Sequence, residues 1–104
     1  MTTKLYPFEG SASTRVNPFE QILQKCGEAC DRVEYMTKRD QPRHYVTDLC
    51  RQFAAKCEAA LEAHEVVNFE RGRVEEFARL FGAVKDNGAY DLNLRALLKF
   101  NRNR

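Results

Sequence analysis

Between Pro42 and Val67 one set of positions recurs at alternating steps of four and three: Val46, Cys50, Phe53, Cys57, Ala60, His64 and Val67. This is the rhythm of a helix–helix seam. A helix that carries it so far must bury that face against other helices. Leu49, Ala54 and Leu61 widen the seam into a stripe, while Arg51, Lys56, Glu58, Glu62 and Glu65 fall elsewhere on the helix. At about 1.5 Å per residue the helix is expected to run roughly 39 Å, nearly the length of a small domain.

The same rhythm precedes it. Phe19, Ile22, Cys26, Ala29, Val33 and Met36, with Leu23 and Cys30 alongside, form a second seam on a helix expected from Asn17-Pro18 to about Lys38. Asn17 suits the cap, Pro18 the first helical position and Glu20 the positive end of the dipole. Glu28–Arg32 and Glu34–Lys38 are i,i+4 ion pairs for the wet side. Lys38 to Pro42 leaves room only for a short turn, with Pro42 in the first turn of the next helix, so the two helices must be antiparallel. Laying them back from that turn sets Met36 near Val46, Val33 near Leu49 and Cys26 near Cys57.

Asn68 or Gly72 marks the next break, followed by a third helix from Glu70 or Arg73 to Phe81. Val74, Phe77, Ala78 and Phe81 share its buried face, and Gly82 is its expected stop. Lys85-Asp86-Asn87-Gly88 reads as a turn in which Asn-Gly takes positive φ. The last segment is ambiguous. Tyr90, Leu92, Leu94, Ala96, Leu98 and Phe100 alternate as in a strand, whereas Leu94, Leu97 and Leu98 make a helical face behind Asp91 as a cap. With no second strand to satisfy its backbone, a helix is the expected form. The fold class is therefore all-α: an antiparallel helical hairpin closed by a third and a short fourth helix. Residues 1–16, where Leu5-Tyr6-Pro7-Phe8 is followed by a Gly/Ser/Thr-rich stretch without periodicity, form an extended or flexible lead to a single helical domain at 17–104.

Charge narrows the function classes. Charged residues make up 31% of the chain and nearly cancel, leaving a net charge of +2, which excludes a strongly basic nucleic-acid arm and an acidic mimic. There is no apolar run long enough to span a membrane and no charged-then-apolar leader, so the expected compartment is cytoplasmic. A Gly-rich phosphate loop, a zincin motif and a nucleophile elbow are all absent, so no cofactor and no ordinary hydrolytic apparatus are expected.

Four cysteines stand out. Cys26 and Cys30 are one turn apart, Cys50 and Cys57 two turns apart, all on or beside the hairpin seam. Free cysteine is a small and usually buried hydrophobe, so core thiols are the first reading. Thiolates on two facing helices could also hold a soft metal, with His64 as a further ligand, although knuckle spacings are missing. Paired cysteines on two helices also resemble the coiled-coil-helix disulfide hairpins, which differ in using matched spacings.

Two further patterns carry chemistry. Arg39-Asp40-Gln41-Pro42-Arg43-His44 has an Arg-x4-His spacing that resembles the ribonuclease motif of the HEPN helical family. The resemblance covers six residues and departs from the family in lying in a turn around Pro42. It implies RNA cleavage by Arg39 and His44 near a dimer interface. The second is the basic end made by Arg95, Lys99, Arg102 and Arg104, which could bind phosphates by charge alone.

The function these features favour is a small protein–protein interaction module: an adaptor, regulator or inhibitor that self-associates or binds a larger protein. Its expected contact residues are Tyr6, Phe8, Phe53, Leu61, Phe77 and Phe81, because a chain this short buries only about two-thirds of its unfolded surface. Nucleic-acid binding through the basic end is the alternative, and a HEPN-like ribonuclease the lesser one.

Overall fold

A computed structural model of the chain describes residues 17–103, and among them all regular structure is helical: α1 (Glu20–Lys38), α2 (Arg43–Ala63), α3 (Phe69–Ala83) and α4 (Tyr90–Arg102). The all-α hairpin architecture is as expected from the seams. Tyr6, Phe8 and Arg104 lie outside the described residues.

α1 begins two residues later than its sequence signal. Asn17 Oδ1 accepts the Phe19 N–H at 2.9 Å and Asn17 O accepts the Glu20 N–H at 3.2 Å, so Asn17 organises a leading turn before the helix proper. Its amide also donates to Glu70 Oε1 at 2.9 Å, tying the start of α1 to the start of α3. At the other end Asp40 adopts φ 54°, its N–H bonds Thr37 O at 3.1 Å and Gln41 N–H bonds Met36 O at 3.1 Å. Those two bonds are a Schellman C-cap with aspartate where glycine is usual. Pro42 is extended (ψ 142°) and flanks α2, which starts at Arg43 rather than including the proline in its first turn.

α2 is shorter than its seam suggests. It stops at Ala63; His64 turns extended (φ −132°, ψ 128°), so neither His64 nor Val67 continues the helical stripe. Two causes are visible. Val66 and Val67 are β-branched and stiff in a helix, and Asn68 starts the next helix by accepting the Arg71 N–H on Oδ1 at 2.7 Å. Gly82 does not stop α3: the helix passes through it to Ala83, with helical rather than positive φ, and a Cβ there would sit 4.0 Å from Ala54 Cβ. Nor does Gly88 take positive φ. The α3–α4 turn is made instead by Asn87, whose Oδ1 accepts the Ala89 N–H at 2.9 Å, so Asp91 lies inside the first turn of α4 rather than capping it.

α4 settles as a helix because Tyr90, Leu94, Leu97 and Asn101 line its buried side at steps of four, three and four. It lies across α1 and α3, while α2 and α3 make the most extensive helix pair. Asn93 Nδ2 donates to Ala83 O at 3.0 Å and so caps α3 from α4. The Arg43 guanidinium covers the Tyr90 ring at 4.3 Å and reaches Asp86 at 3.3 Å, closing the end of the bundle where α1 turns into α2.

One core joins all four helices. Phe19, Val33, Val46, Val74, Phe77, Phe81 and Leu97 are almost fully buried, with all four cysteines among them. Phe53, Phe81, Phe77 and Phe100 form a chain of rings with centroids 5.7, 5.7 and 4.9 Å apart. Such offset and edge contacts add to the burial itself.

Candidate functional site

The five residues from His64 to Asn68, with the first turn of α3, form an ordered tip whose side chains face outwards. Order comes from polar contacts. Arg71 Nη1 donates to His64 O at 2.6 Å and Nη2 reaches Leu61 O at 3.5 Å, so one guanidinium satisfies carbonyls left open where α2 ends. The same group pairs with Glu75 at 3.3 Å and lies 5.9 Å from the centre of the Phe19 ring. Phe19 in turn meets the His64 imidazole edge-on at 5.9 Å. On this braced loop Val66 is 45% exposed, Val67 85% and Phe69 73%. Glu62, Glu65 and Glu70 neighbour them in sequence, the first two exposed and Glu70 accepting from the Asn17 amide.

All four thiols are buried along the α1–α2 hairpin. Cys26 Sγ and Cys57 Sγ are 3.4 Å apart, in hydrogen-bond contact, as the hairpin register requires. That bond holds the Cys57 thiol below its ordinary range and, together with burial, drives the Cys26 thiol far above it. Burial pushes Cys50 up to about 12. Among the described residues no three of His, Cys, Asp and Glu converge as a metal would need. His64, proposed as a continuation of the Cys50–Cys57 line, packs on Phe19 at the tip instead.

The other sequence candidates scatter. Phe77 and Phe81 are inside the chain's own core and offer nothing to a partner; Phe53 and Leu61 are half-buried against that core. Lys56 lies over the Phe53 ring at 5.8 Å. Arg39 sits on Tyr35 at 4.8 Å and His44 on Tyr45 at 4.4 Å, each exposed and each against its own tyrosine. Arg95 and Lys99 are exposed on α4, while Arg102 pairs with Glu34 at 3.5 Å, so part of the basic end is neutralised within the chain.

Sequence reasoning missed the tip. Seam spacing places Val67 in the core and gives Val66 and Phe69 no part in it. A signal existed: two β-branched residues before an Asn that can cap a helix starting at Phe69 mark a break at which a seam no longer has a helix to sit on. Compared with known proteins, the chain matches no family model, no curated protein and no solved structure.

Proposed function

We propose that the protein is a protein–protein interaction module, and that the α2–α3 tip is its anchor. One observation carries this reading: an ordered loop, braced by Arg71 and capped by Asn68, that nevertheless leaves Val66, Val67 and Phe69 in water. Holding a loop still while exposing three large apolar side chains costs solvation and entropy, which complex formation can offset. Pre-organisation lowers the ordering cost of binding.

The magnitude limits what the tip can do alone. Burying such side chains contributes about 1.5–3 kcal/mol each, so the three together give at most about 9 kcal/mol. Association costs roughly 4–15 kcal/mol. The tip is therefore the hot spot of a wider footprint. The exposed Glu62 and Glu65, close by in sequence, favour a partner whose apolar cleft is rimmed by lysine or arginine. An adaptor, regulator or inhibitor fits this form of contact, and so does a second copy of the chain.

The test pairs two measurements on the wild type and on a Val67→Asp/Phe69→Ser variant. Light scattering reads self-association. Affinity capture from a lysate of the source organism, with and without nuclease, reads other partners. A stoichiometric protein complex that survives nuclease and is lost in the variant is the expected result. Recovery of nucleic acid alone, unaffected by the tip variant and lost on neutralising Arg95, Lys99 and Arg102, overturns it.

A further inference from the structure

We propose that Cys26 and Cys57 are a disulfide-forming pair, an oxidation site at which a hydroperoxide staples α1 to α2. The two sulfurs face each other across the seam at 3.4 Å. A disulfide needs about 2.05 Å between sulfurs, so the two must close by about 1.3 Å from their present contact.

Geometry selects this pair from the four buried cysteines. Cys26 and Cys30 are an i,i+4 pair on α1, whose Cβ atoms in a helix are about 5–6 Å apart, beyond the roughly 3.5–4.5 Å a disulfide spans. Cys50 and Cys57 are seven residues apart on α2, about 10 Å along the axis. In the antiparallel register that sets Cys26 against Cys57, Cys50 falls opposite Val33 and Cys30 opposite Phe53. Cys26 and Cys57 are the pair seen in sulfur contact.

The chemistry has an order. Each sulfur can donate to the other, so whichever thiol ionises first, Cys57 for instance, is the attacking sulfur. It attacks the terminal peroxide oxygen; an S–O bond forms, the O–O bond breaks, and the thiol proton leaves with the other oxygen as an alcohol, or as water from hydrogen peroxide. Cys26 then attacks the sulfenic sulfur. The S–S bond forms, the S–O bond breaks, and the Cys26 proton departs with the hydroxyl as water. The two sulfurs lose two electrons and the peroxide gains them; a dithiol reductant reverses the bridge.

Both thiols are fully buried, so the oxidant enters through local opening. The position suits that: Cys26 lies six residues from the start of α1 and Cys57 seven from His64, where α2 has ended. Native helix ends open at lower free energy than the middle of a core. A small hydroperoxide passes such an opening where a bulky disulfide oxidant is disfavoured.

Once formed, the bridge closes a loop of about 30 residues, which on chain-entropy grounds raises the thermal midpoint by roughly 15 °C. The full-length reduced protein is incubated with hydrogen peroxide, remaining thiols are alkylated, and intact mass, non-reduced peptide map and melting curve are recorded. The expected result is a loss of about 2 Da, a Cys26–Cys57 cross-linked peptide, alkylated Cys30 and Cys50, a raised midpoint, and reversal by dithiothreitol. A Cys30→Ala/Cys50→Ala variant should still form the bridge, and Cys57→Ser should not; the wild-type map decides the question even if a variant fails to fold. Thiols that stay reduced, a bridge at another pair, sulfinic or sulfonic acid at Cys57, or a lowered midpoint each overturn the proposal.

Discussion

Two phenylalanines on α3 offer a matched test of what the fold buries and what it leaves for binding. Phe81 is fully buried, with ring contacts at 5.7 Å to both Phe53 and Phe77, while Phe69 on the same helix is 73% exposed. Truncating a buried phenylalanine removes its transfer free energy and leaves a cavity, about 3–5 kcal/mol in all. Phe81 belongs at the upper end, because two neighbouring rings lose their partner as well. A chain of 104 residues has a total stability of roughly 5–15 kcal/mol, so Phe81→Ala should remove a third or more of it. At about 4–8 °C per kcal/mol, the midpoint should fall by roughly 15–35 °C. Phe69→Ala should change stability by less than about 0.5 kcal/mol, and alanine's better helix propensity can even offset that. Urea denaturation followed by far-UV circular dichroism measures both, with the slope m checked for constancy. A cost under about 1 kcal/mol at Phe81 would refute the four-helix core. A cost above about 1.5 kcal/mol at Phe69 would show its ring packed, not presented.

Three further outcomes follow from the same contacts. Gly82→Ala should stabilise the protein by up to about 1 kcal/mol, since the added methyl meets Ala54 at an ordinary 4.0 Å; a lowered urea midpoint would mean α2 and α3 approach more closely than this. Arg71→Ala strips the carbonyls of His64 and Leu61 of their donor and should cost about 0.5–1.5 kcal/mol, with loss of amide hydrogen-exchange protection at His64, whose N–H bonds Ala60 O at 3.2 Å; unchanged protection there would show the loop braced by something else. Alkaline stability carries the sign of Cys50. Its folded thiol is pushed by burial from about 9 to about 12, so between those values the unfolded chain binds fewer protons and stability falls by up to about 1.4 kcal/mol per pH unit. Below pH 9 this contribution is fully present. Cys50→Ala should flatten the decline between pH 9 and pH 12, and an unaltered slope would place Cys50 in contact with water.

The helices were legible wherever periodicity and burial coincide. Phe19 to Met36 and Val46 to Cys57 kept their seam positions, because a/d spacing is a statement about which side chains a straight helix can bury together. The contact of Cys26 with Cys57 followed from turn length alone. Segment ends were less legible, for a specific reason. Gly82 carries a helix-stop signal by residue type, yet a glycine stops a helix only when the backbone there must turn left-handed. Here that duty at the end of α1 falls to Asp40, while Gly82 stays helical beside Ala54. The strand-like alternation of Tyr90 to Phe100 was outweighed once α1 and α3 presented a groove for Tyr90, Leu94 and Leu97.

The candidate site was hidden by the same rule that revealed the fold. An apolar residue at seam spacing reads as core whether or not the helix lasts long enough to carry it there. Val67 is three residues past His64 and would close the stripe of α2, but the helix has ended by then, and the side chain is 85% in solvent. What ended it is polar and local: Asn68 accepting from the Arg71 amide, and the Arg71 side chain reaching back to the His64 carbonyl. Neither contact leaves a mark on hydrophobic periodicity. Phe77 and Phe81 were misassigned in the opposite direction, as surface anchors, because sequence alone counts apolar residues without knowing how many neighbours will cover them. With α4 in place as a helix, Phe100 closes over Phe77, and Phe81 stacks against Phe77 and Phe53 inside the chain's own core.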